Sequence, residues 1–362
     1  MGIRFDRESR RPTNGPIIFF SDPSSENSFS EEIRGAINSG LSFYAYRHPG
    51  DIMISFGSSE GYCEGLGIPG FVIGQFDPTQ HFITIPYKGT GSRTYSGETY
   101  SFPHNSTSFQ EYQREIENII SELSAYKESK TVAARVFIEK ERIDPGATFF
   151  ELHNRYPEAY IFCFSTPATG CWIGASPELL LKAKGDSLRT MALAGTRIIN
   201  SNSVWDDKNI EEQRLVRQYI SDIFDAHSLN PRQLESFTKK AGNIEHICTP
   251  FESDLCNDAN ELESLLHDLS PTPALCGSPR ELSLKLISEN ESFQRGCYGG
   301  FCGPFHNPGD FTFNVVIRCA SFTENEYCIY AGGGITVLSD LLQEWEETEM
   351  KSRIFRDCVI FK

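Results

Sequence analysis

The sequence predicts an α+β protein of one large domain, with a mostly antiparallel β core flanked by helices. Apolar runs with the alternating period of β-strands outnumber the helical segments, and hairpin turns recur between them. Such a pattern favours the α+β class. Its 362 residues would allow two domains, but large α+β chains of this size often form one. We therefore predict a single domain, 1–362, with a β-rich half at 1–105 and a second half at 106–362.

The first half is irregular, with turns at 47–50, 69–70 and 95–98 and no catalytic motif. An amphipathic helix follows, because apolar residues recur at helical spacing from Phe109 to Leu123. Ser106 or Thr107 is the expected N-cap of this helix. The alternation that begins at Lys130 predicts a strand that starts there.

Further strands and two long helices are predicted in the second half. The strands are expected at 159–165, 171–175, 178–184, 187–193, 311–320 and 327–331, the third and fourth joined by a hairpin at Gly185-Asp186. Helices are expected at 207–226 and at 339–356, the latter with Ser339 as N-cap.

The charge balance excludes some classes of partner. The net charge of −16 argues against nucleic acid and against an anionic membrane surface. No apolar run is long enough to span a bilayer and no signal-peptide pattern is present, so we expect a cytoplasmic protein. The eleven cysteines lack metal-binding spacing and are expected to be reduced, mostly buried thiols. An acidic protein that binds an acidic ligand needs a metal ion or a local cluster of cations.

One stretch of sequence is especially informative about function. Residues 174–178 read Gly-Ala-Ser-Pro-Glu, and after the predicted hairpin residues 190–197 read Thr-Met-Ala-Leu-Ala-Gly-Thr-Arg. This stretch resembles the signature of the chorismate-utilising enzymes, which include isochorismate, salicylate, anthranilate and aminodeoxychorismate synthases. Five further segments are similar to the family's pattern in the same order: 130–135, 208–213, 271–277, 316–318 with 331–335, and 344–351.

The resemblance implies a β-sandwich fold and names an acid–base pair. Lys130 is the implied base that activates water, and Glu178 the implied acid. Each role depends on environment, since a lysine needs a lowered pKa and a glutamate a raised one. Anthranilate synthases typically carry glutamine at the position of Lys130, and aminodeoxychorismate synthases use a covalent lysine where this chain has Ala194. A lysine at position 130 together with Ala194 is the combination found in the family members that use water.

Carboxylates on two predicted helices indicate a metal site. Glu212 lies one turn before Val216 on the apolar face of its helix, and Glu344, Glu347 and Lys351 form one stripe on the last helix. Carboxylate oxygens suit Mg²⁺, although Glu347 and Lys351 alone would read as an ordinary surface pair. The resemblance implies that Glu212 and Glu347 are ligands of Mg²⁺ and that Glu344 lies close by as a direct or water-mediated partner of the ion.

Substrate carboxylates require cations and backbone donors. Arg318 is expected to share a strand face with Asn314 and Val316 and to point into a cleft, where its guanidinium suits a carboxylate. The three consecutive glycines at 332–334, the glycine triplet, could adopt unusual dihedrals and hold an anion with their N–H groups, although such triplets are often just tight turns. The residues that the resemblance assigns to the substrate are Ala194, Gly195, Thr196, Tyr298, Arg318, Gly332, Gly333, Gly334 and Lys351.

The leading hypothesis is an isomerase, isochorismate synthase, that serves menaquinone or siderophore biosynthesis. Salicylate synthase, which also eliminates pyruvate, and a non-catalytic relative are the alternatives. Ser270 and Gln213 stand where relatives usually have histidines, and Ser270 favours an enzyme that stops at isochorismate. The expected partner is chorismate, with no obligate glutaminase subunit, and the expected state is a monomer.

Overall fold

The computed structural model describes residues 16–20, 23–89, 91, 95–126, 128–199, 204–241, 244–256 and 258–362. The helices are α1 Pro23–Asn38, α2 Phe109–Leu123, α3 Pro145–Arg155, α4 Asp207–Ala226, α5 Ala259–Leu269, α6 Arg280–Asn290 and α7 Leu341–Arg356. The strands are β1 Ile17–Phe20, β2 Ser42–Arg47, β3 Met53–Ser59, β4 Cys63–Glu64, β5 Gly70–Gly74, β6 Ile83–Pro86, β7 Lys130–Glu139, β8 Tyr160–Thr166, β9 Gly170–Ser176, β10 Leu179–Lys184, β11 Leu188–Ile198, β12 Arg232–Gln233, β13 Phe237–Ala241, β14 Ile244–Ser253, β15 Gly277–Ser278, β16 Phe301–Asn307, β17 Asp310–Val315, β18 Cys319–Phe322 and β19 Tyr327–Ile335.

Two large antiparallel sheets form the framework. A 9-stranded sheet has the order β1-β3-β2-β8-β9-β18-β19-β7-β15, and a 10-stranded sheet has the order β12-β14-β11-β10-β17-β16-β5-β6-β4, with β13 paired to β14. The described strand pairings are all antiparallel. The predicted α+β class with an antiparallel core is confirmed.

The main core lies between the two sheets, and a second core covers the other face of the 9-stranded sheet. Alternation along β2 explains both, because Tyr44 and Tyr46 belong to the first core whereas Phe43 and Ala45 belong to the second. The second core packs against α1 and α3, for example through Phe29. Each fully buried aromatic ring of this kind contributes roughly 1.5–3 kcal/mol of transfer free energy.

The first part of the chain contributes to both sheets. Strands β1 to β3 extend the 9-stranded sheet beside β8, and β4 to β6 extend the 10-stranded sheet beside β16. The two predicted halves, 1–105 and 106–362, are therefore interleaved through shared sheets.

Helix α4 begins and ends where the sequence predicts, but two predicted N-caps were wrong. Ser108 caps α2 through a capping box with Glu111, whereas Ser106 and Thr107 accept hydrogen bonds from backbone N–H groups of β7. Asp340 caps α7, because the Ser339 hydroxyl already bonds to neighbouring groups. In both cases the predicted N-cap side chain makes hydrogen bonds elsewhere in the fold, and a neighbouring residue caps the helix.

The predicted strand at 311–320 is also corrected. Strand β17 ends at Val315 in one sheet, and β18 begins at Cys319 in the other. The chain crosses between the sheets at Arg318, whose φ is +50°. Arg318 consequently shares no strand face with Asn314, because an alternating pattern does not reveal where a chain changes sheets.

The cysteines are mostly buried, as the sequence predicts. All eleven cysteines are free thiols, and they are buried except Cys63 and Cys171, which are partly exposed. None of the helices in the described ranges is both long and apolar enough to cross a bilayer.

Candidate active site

A cavity of about 120 Å³ opens between the sheets, next to α4 and α7. Twelve of the residues singled out in the sequence line it: Lys130, Glu178, Ala194, Gly195, Thr196, Glu212, Tyr298, Arg318, Gly332, Gly334, Glu347 and Lys351. Gly333 and Glu344 do not line it. The fold thus brings together residues that lie more than 200 positions apart in the sequence.

Glu178 is the most deeply buried carboxyl group of the cavity. It lies between β9 and β10, and its backbone N–H donates to the Ser176 hydroxyl over 3.2 Å. Burial raises the pKa of Glu178 to about 7, although Lys239, Arg318 and Lys130 oppose the rise. Near neutral pH this side chain can therefore both give and take a proton.

Lys130 and Glu212 form an ion pair inside the cavity. The Lys130 Nζ lies 2.8 Å from Glu212 Oε1, and their side chains are 7% and 15% exposed. Lys130 is the first residue of β7 and Glu212 lies in the second turn of α4, so the pair joins the 9-stranded sheet to α4. A paired lysine is held in one position, facing the same space as Glu178.

Helix α7 supplies a second pair, Lys351 with Glu347. Lys351 Nζ lies 2.7 Å from Glu347 Oε1 and donates to the carbonyl of Gly332 over 2.8 Å. Both side chains are less than a third exposed and line the cavity, which distinguishes them from an ordinary surface pair.

The backbone dihedrals of the glycine triplet are those of a regular strand, and the expectation of unusual dihedrals was wrong. Gly332, Gly333 and Gly334 lie in β19 in regular register with β7, and none has a positive φ. Their role is steric: a Cβ at Gly334 would lie 2.8 Å from Glu212 Oε1 and 2.9 Å from Lys130 Nζ. Gly333 points to the opposite face of β19, because side-chain directions alternate along a strand.

Glu344 lies on that opposite face, outside the cavity. A Cβ at Gly333 would lie 3.0 Å from Glu344 Oε2, and Glu344 Oε1 accepts a hydrogen bond from Ser339. Across the described ranges, no three His, Cys, Asp or Glu side chains come together as a group that could hold a metal ion. The structure therefore places Glu347 in the cavity and Glu344 outside it.

The donor set that remains is two carboxylates, Glu212 and Glu347, in one cavity. Mg²⁺ commonly binds one or two protein carboxylates and takes its other ligands from water and substrate. The residues present therefore fit such an ion if Glu344 is left out of its coordination.

The guanidinium of Arg318 lies inside the protein, where burial lowers its pKa to about 10. Its only side-chain hydrogen bond to the described residues joins Arg318 Nη2 to His246 Nε2 over 3.1 Å. An arginine has five N–H donors, so most of them are available to a ligand in the cavity.

A bulge in β11 shapes one wall of the cavity. The register of β11 with β14 shifts between Ala194 and Arg197, and Gly195 has a φ of +71°, which glycine adopts readily. Asn209 of α4 accepts a hydrogen bond from the Thr196 N–H over 2.8 Å. This contact fixes the bulge and turns the Gly195 carbonyl toward His246.

His246 is a cavity residue that the sequence did not single out. It lies on β14, with Nδ1 2.8 Å from the Gly195 carbonyl oxygen. Burial first, and the nearby Arg318 second, lower the pKa of His246 to about 3. A lone histidine in a strand-like run gives little signal, since only the pairing of β14 with β11 brings it to the site.

Neither Ser270 nor Gln213 lines the cavity. Ser270 ends α5, and its carbonyl accepts a hydrogen bond from Arg280. The Gln213 amide donates to the Ala192 carbonyl and to Thr249, and so ties α4 to β11 and β14.

A larger groove lies elsewhere, between residues 75–80 and α6, but it contains none of the predicted site residues. The smaller cavity holds the candidate acid, the lysines and Arg318, so it is the candidate active site.

Comparison with known proteins identifies the family. The family model described as chorismate binding enzyme matches residues 88–359. The isochorismate synthase EntC of Escherichia coli (strain K12) is 33% identical over 222 residues, which are 58% of this chain and 56% of that protein. The chloroplastic isochorismate synthase of Catharanthus roseus is 33% identical over 242 residues, 63% of this chain and 41% of that protein.

A solved structure extends the likeness to the whole fold. The menaquinone-specific isochorismate synthase MenF from Escherichia coli superposes with a TM-score of 0.78 at 19% identity, covering 97% of this chain and 96% of that one. The chain belongs to the family of chorismate binding enzymes. Its sequence matches span about half the length of the curated relatives.

Proposed function

We propose that this protein is an isochorismate synthase, an isomerase that converts chorismate to isochorismate with the aid of Mg²⁺. The observation that carries the proposal is the buried Glu178, with a pKa of about 7, in one cavity with Lys130. The relatives named isochorismate synthase support the choice of substrate.

Substrate binding would use the cations of the cavity. Chorismate carries two carboxylates, and Arg318 and Lys351, which both line the cavity, offer charged donors. Gly332 and Gly334 leave room for the ring next to β19, since a Cβ at either position would crowd Tyr298 or Glu212.

The chemistry exchanges one hydroxyl group for another. Lys130 accepts a proton from a water molecule while the oxygen of that water bonds to C2 of the ring. The ring double bonds shift, and the C4–O bond breaks. Glu178 donates a proton to the departing C4 hydroxyl, which leaves as water. Ala194 carries no nucleophile, so water attacks the ring directly.

Lys130 acts as a base through the uncharged form of its amine, and the contact with Glu212 Oε1 fixes where that amine lies in the cavity. Glu212 and Glu347 would hold Mg²⁺. When bound, the ion would attach a substrate carboxylate and offset the negative charge of both glutamates.

The test is to incubate purified protein with chorismate and Mg²⁺ in ¹⁸O-labelled water and to analyse the products by chromatography and mass spectrometry. We expect isochorismate with one ¹⁸O atom at C2, and conversion of isochorismate back to chorismate. Salicylate and pyruvate would instead identify the lyase, and no turnover would identify a non-catalytic relative.

A matched pair of variants tests the assignment of the base. Lys130→Ala should lose about a hundred- to ten-thousandfold in rate, the usual contribution of a general base. Lys285→Ala is the control, because Lys285 is exposed on α6, outside the cavity. A Lys130→Ala enzyme with a normal rate would refute the mechanism.

We propose that the isochorismate enters menaquinone or siderophore biosynthesis, and the structural relative MenF is specific to the menaquinone pathway. We further propose that the protein is a cytoplasmic monomer. It needs no glutaminase subunit, because its mechanism uses water in place of ammonia.

A further inference from the structure

We propose that His246 is a positioning residue, a neutral imidazole that fixes the guanidinium of Arg318 for the substrate. This inference rests on the proposed function, since it concerns how the same cavity holds an anionic ligand.

The hydrogen-bond chemistry permits one arrangement of the ring. The guanidinium of Arg318 can only donate, so His246 Nε2, 3.1 Å away, must accept and carry no proton. The carbonyl of Gly195 can only accept, so His246 Nδ1, 2.8 Å away, must carry the proton. Both contacts demand the same neutral tautomer, and the Thr196 hydroxyl, 3.3 Å from Nδ1, is compatible with it as a second acceptor.

The backbone on both sides of this chain of contacts is constrained. Gly195 lies in the β11 bulge that Asn209 fixes, and Arg318 lies at the crossover between the sheets with a positive φ. His246 thus links the bulged strand of the 10-stranded sheet to Arg318, whose guanidinium lines the cavity between the sheets. A freely rotating arginine would have to lose side-chain entropy on binding, and His246 removes that loss beforehand.

Two substitutions separate this role from a purely structural one. In His246→Gln the side-chain oxygen replaces Nε2 as the acceptor for Arg318, while the contact with Gly195 is given up. In His246→Asn the side-chain amide replaces Nδ1 as the donor to Gly195, while the contact with Arg318 is lost. His306→Gln, an exposed position on β16, is the matched control.

We expect His246→Gln to keep kcat/KM close to that of the wild type, and His246→Asn to lose about ten- to hundredfold, mainly through a higher KM, as expected for a hydrogen bond to a charged group. The opposite order, or equal losses, would mean that the histidine serves the bulge, and the proposal would be wrong.

Nitrogen NMR of histidine- and arginine-labelled protein provides a readout without substrate. The inference requires His246 to show the neutral, Nδ1-protonated tautomer and requires rotation of the Arg318 guanidinium to speed up in His246→Asn but not in His246→Gln. A different tautomer, or unchanged rotation, overturns it. If the NMR results are as expected and the wild type leaves chorismate unchanged, the proposed function fails while the positioning role stands.

Discussion

At the scale of single residues, the burial of Glu178 links stability to chemistry. The fold raises the pKa of this carboxyl group from 4.5 to about 7, which means that it disfavours the ionised form. The folded protein then binds more protons than the unfolded chain between these two pH values, so stability falls as pH rises through that window.

Glu178→Gln should therefore stabilise the protein at pH 8 relative to the wild type, by up to about 3 kcal/mol. At pH 5 the difference should shrink to about 1 kcal/mol or less, because Glu178 is then protonated in the folded state and the same carboxyl is only partly ionised in the unfolded chain. Thermal unfolding of both proteins at the two pH values measures this, with Glu98→Gln at an exposed position as control. A pH-independent difference would contradict the prediction.

Gly334 and Gly333 offer a second test at residue scale. Gly334→Ala should lower kcat/KM about a hundredfold, because the new Cβ would displace Lys130 and Glu212. Gly333→Ala should keep most of the activity and lose some stability, since its Cβ would press on Glu344 outside the cavity. Comparison of activity and melting temperature for both variants decides the matter, and similar activities would count against the steric role of Gly334.

Much of the candidate site could be predicted from residues that occur in recognisable motifs, such as Lys130, Glu178, Glu347 and Lys351. His246 could not, because its importance depends on the register of β14 against β11 and on the crossover at Arg318. Glu344 was assigned to the cavity because helical periodicity places it near Glu347, but periodicity does not specify on which face of β19 each carboxylate ends.

At the scale of elements, α7 is attached to the 9-stranded sheet through Arg135 of β7. The guanidinium carbon of Arg135 lies 3.1 Å from the centre of the Trp345 ring, and one nitrogen donates to the Thr348 hydroxyl over 2.8 Å. The stack holds the helix that carries Glu347 and Lys351.

Arg135→Lys should destabilise the protein by about 1–3 kcal/mol, because lysine retains the charge but neither the planar stacking surface nor the same set of donors. Chemical denaturation measures the loss, and Arg189→Lys at an exposed salt bridge is the control. An unchanged midpoint for Arg135→Lys would show that α7 is held by other contacts.

Elements were predictable where local chemistry decides them. Helix α4 begins at the predicted Asp207, and strand β7 begins at Lys130, where the alternating pattern starts. The sequence does not reveal the break between β17 and β18, because the strand-like alternation continues through residues 316–318 and the change of sheet is decided by long-range pairing.

At the scale of the whole molecule, the shared sheets predict cooperative unfolding. Since strands from the first 105 residues extend both sheets, neither half can lose its structure without exposing the edge of the other. Calorimetry and circular dichroism should therefore report one coincident transition. Two separated transitions would contradict the single-domain prediction.

The distribution of thiols has a practical consequence for experiments on this protein. Only Cys63 and Cys171 are partly exposed, whereas the buried thiols lie in strands of both sheets and in the segments beside them: Cys163, Cys248, Cys256, Cys276, Cys297, Cys302, Cys319, Cys328 and Cys358. A thiol-specific reagent should therefore label no more than two positions in the native protein and all eleven after denaturation. Mass spectrometry of protein labelled during brief heating would then map, strand by strand, which part of the sandwich opens first.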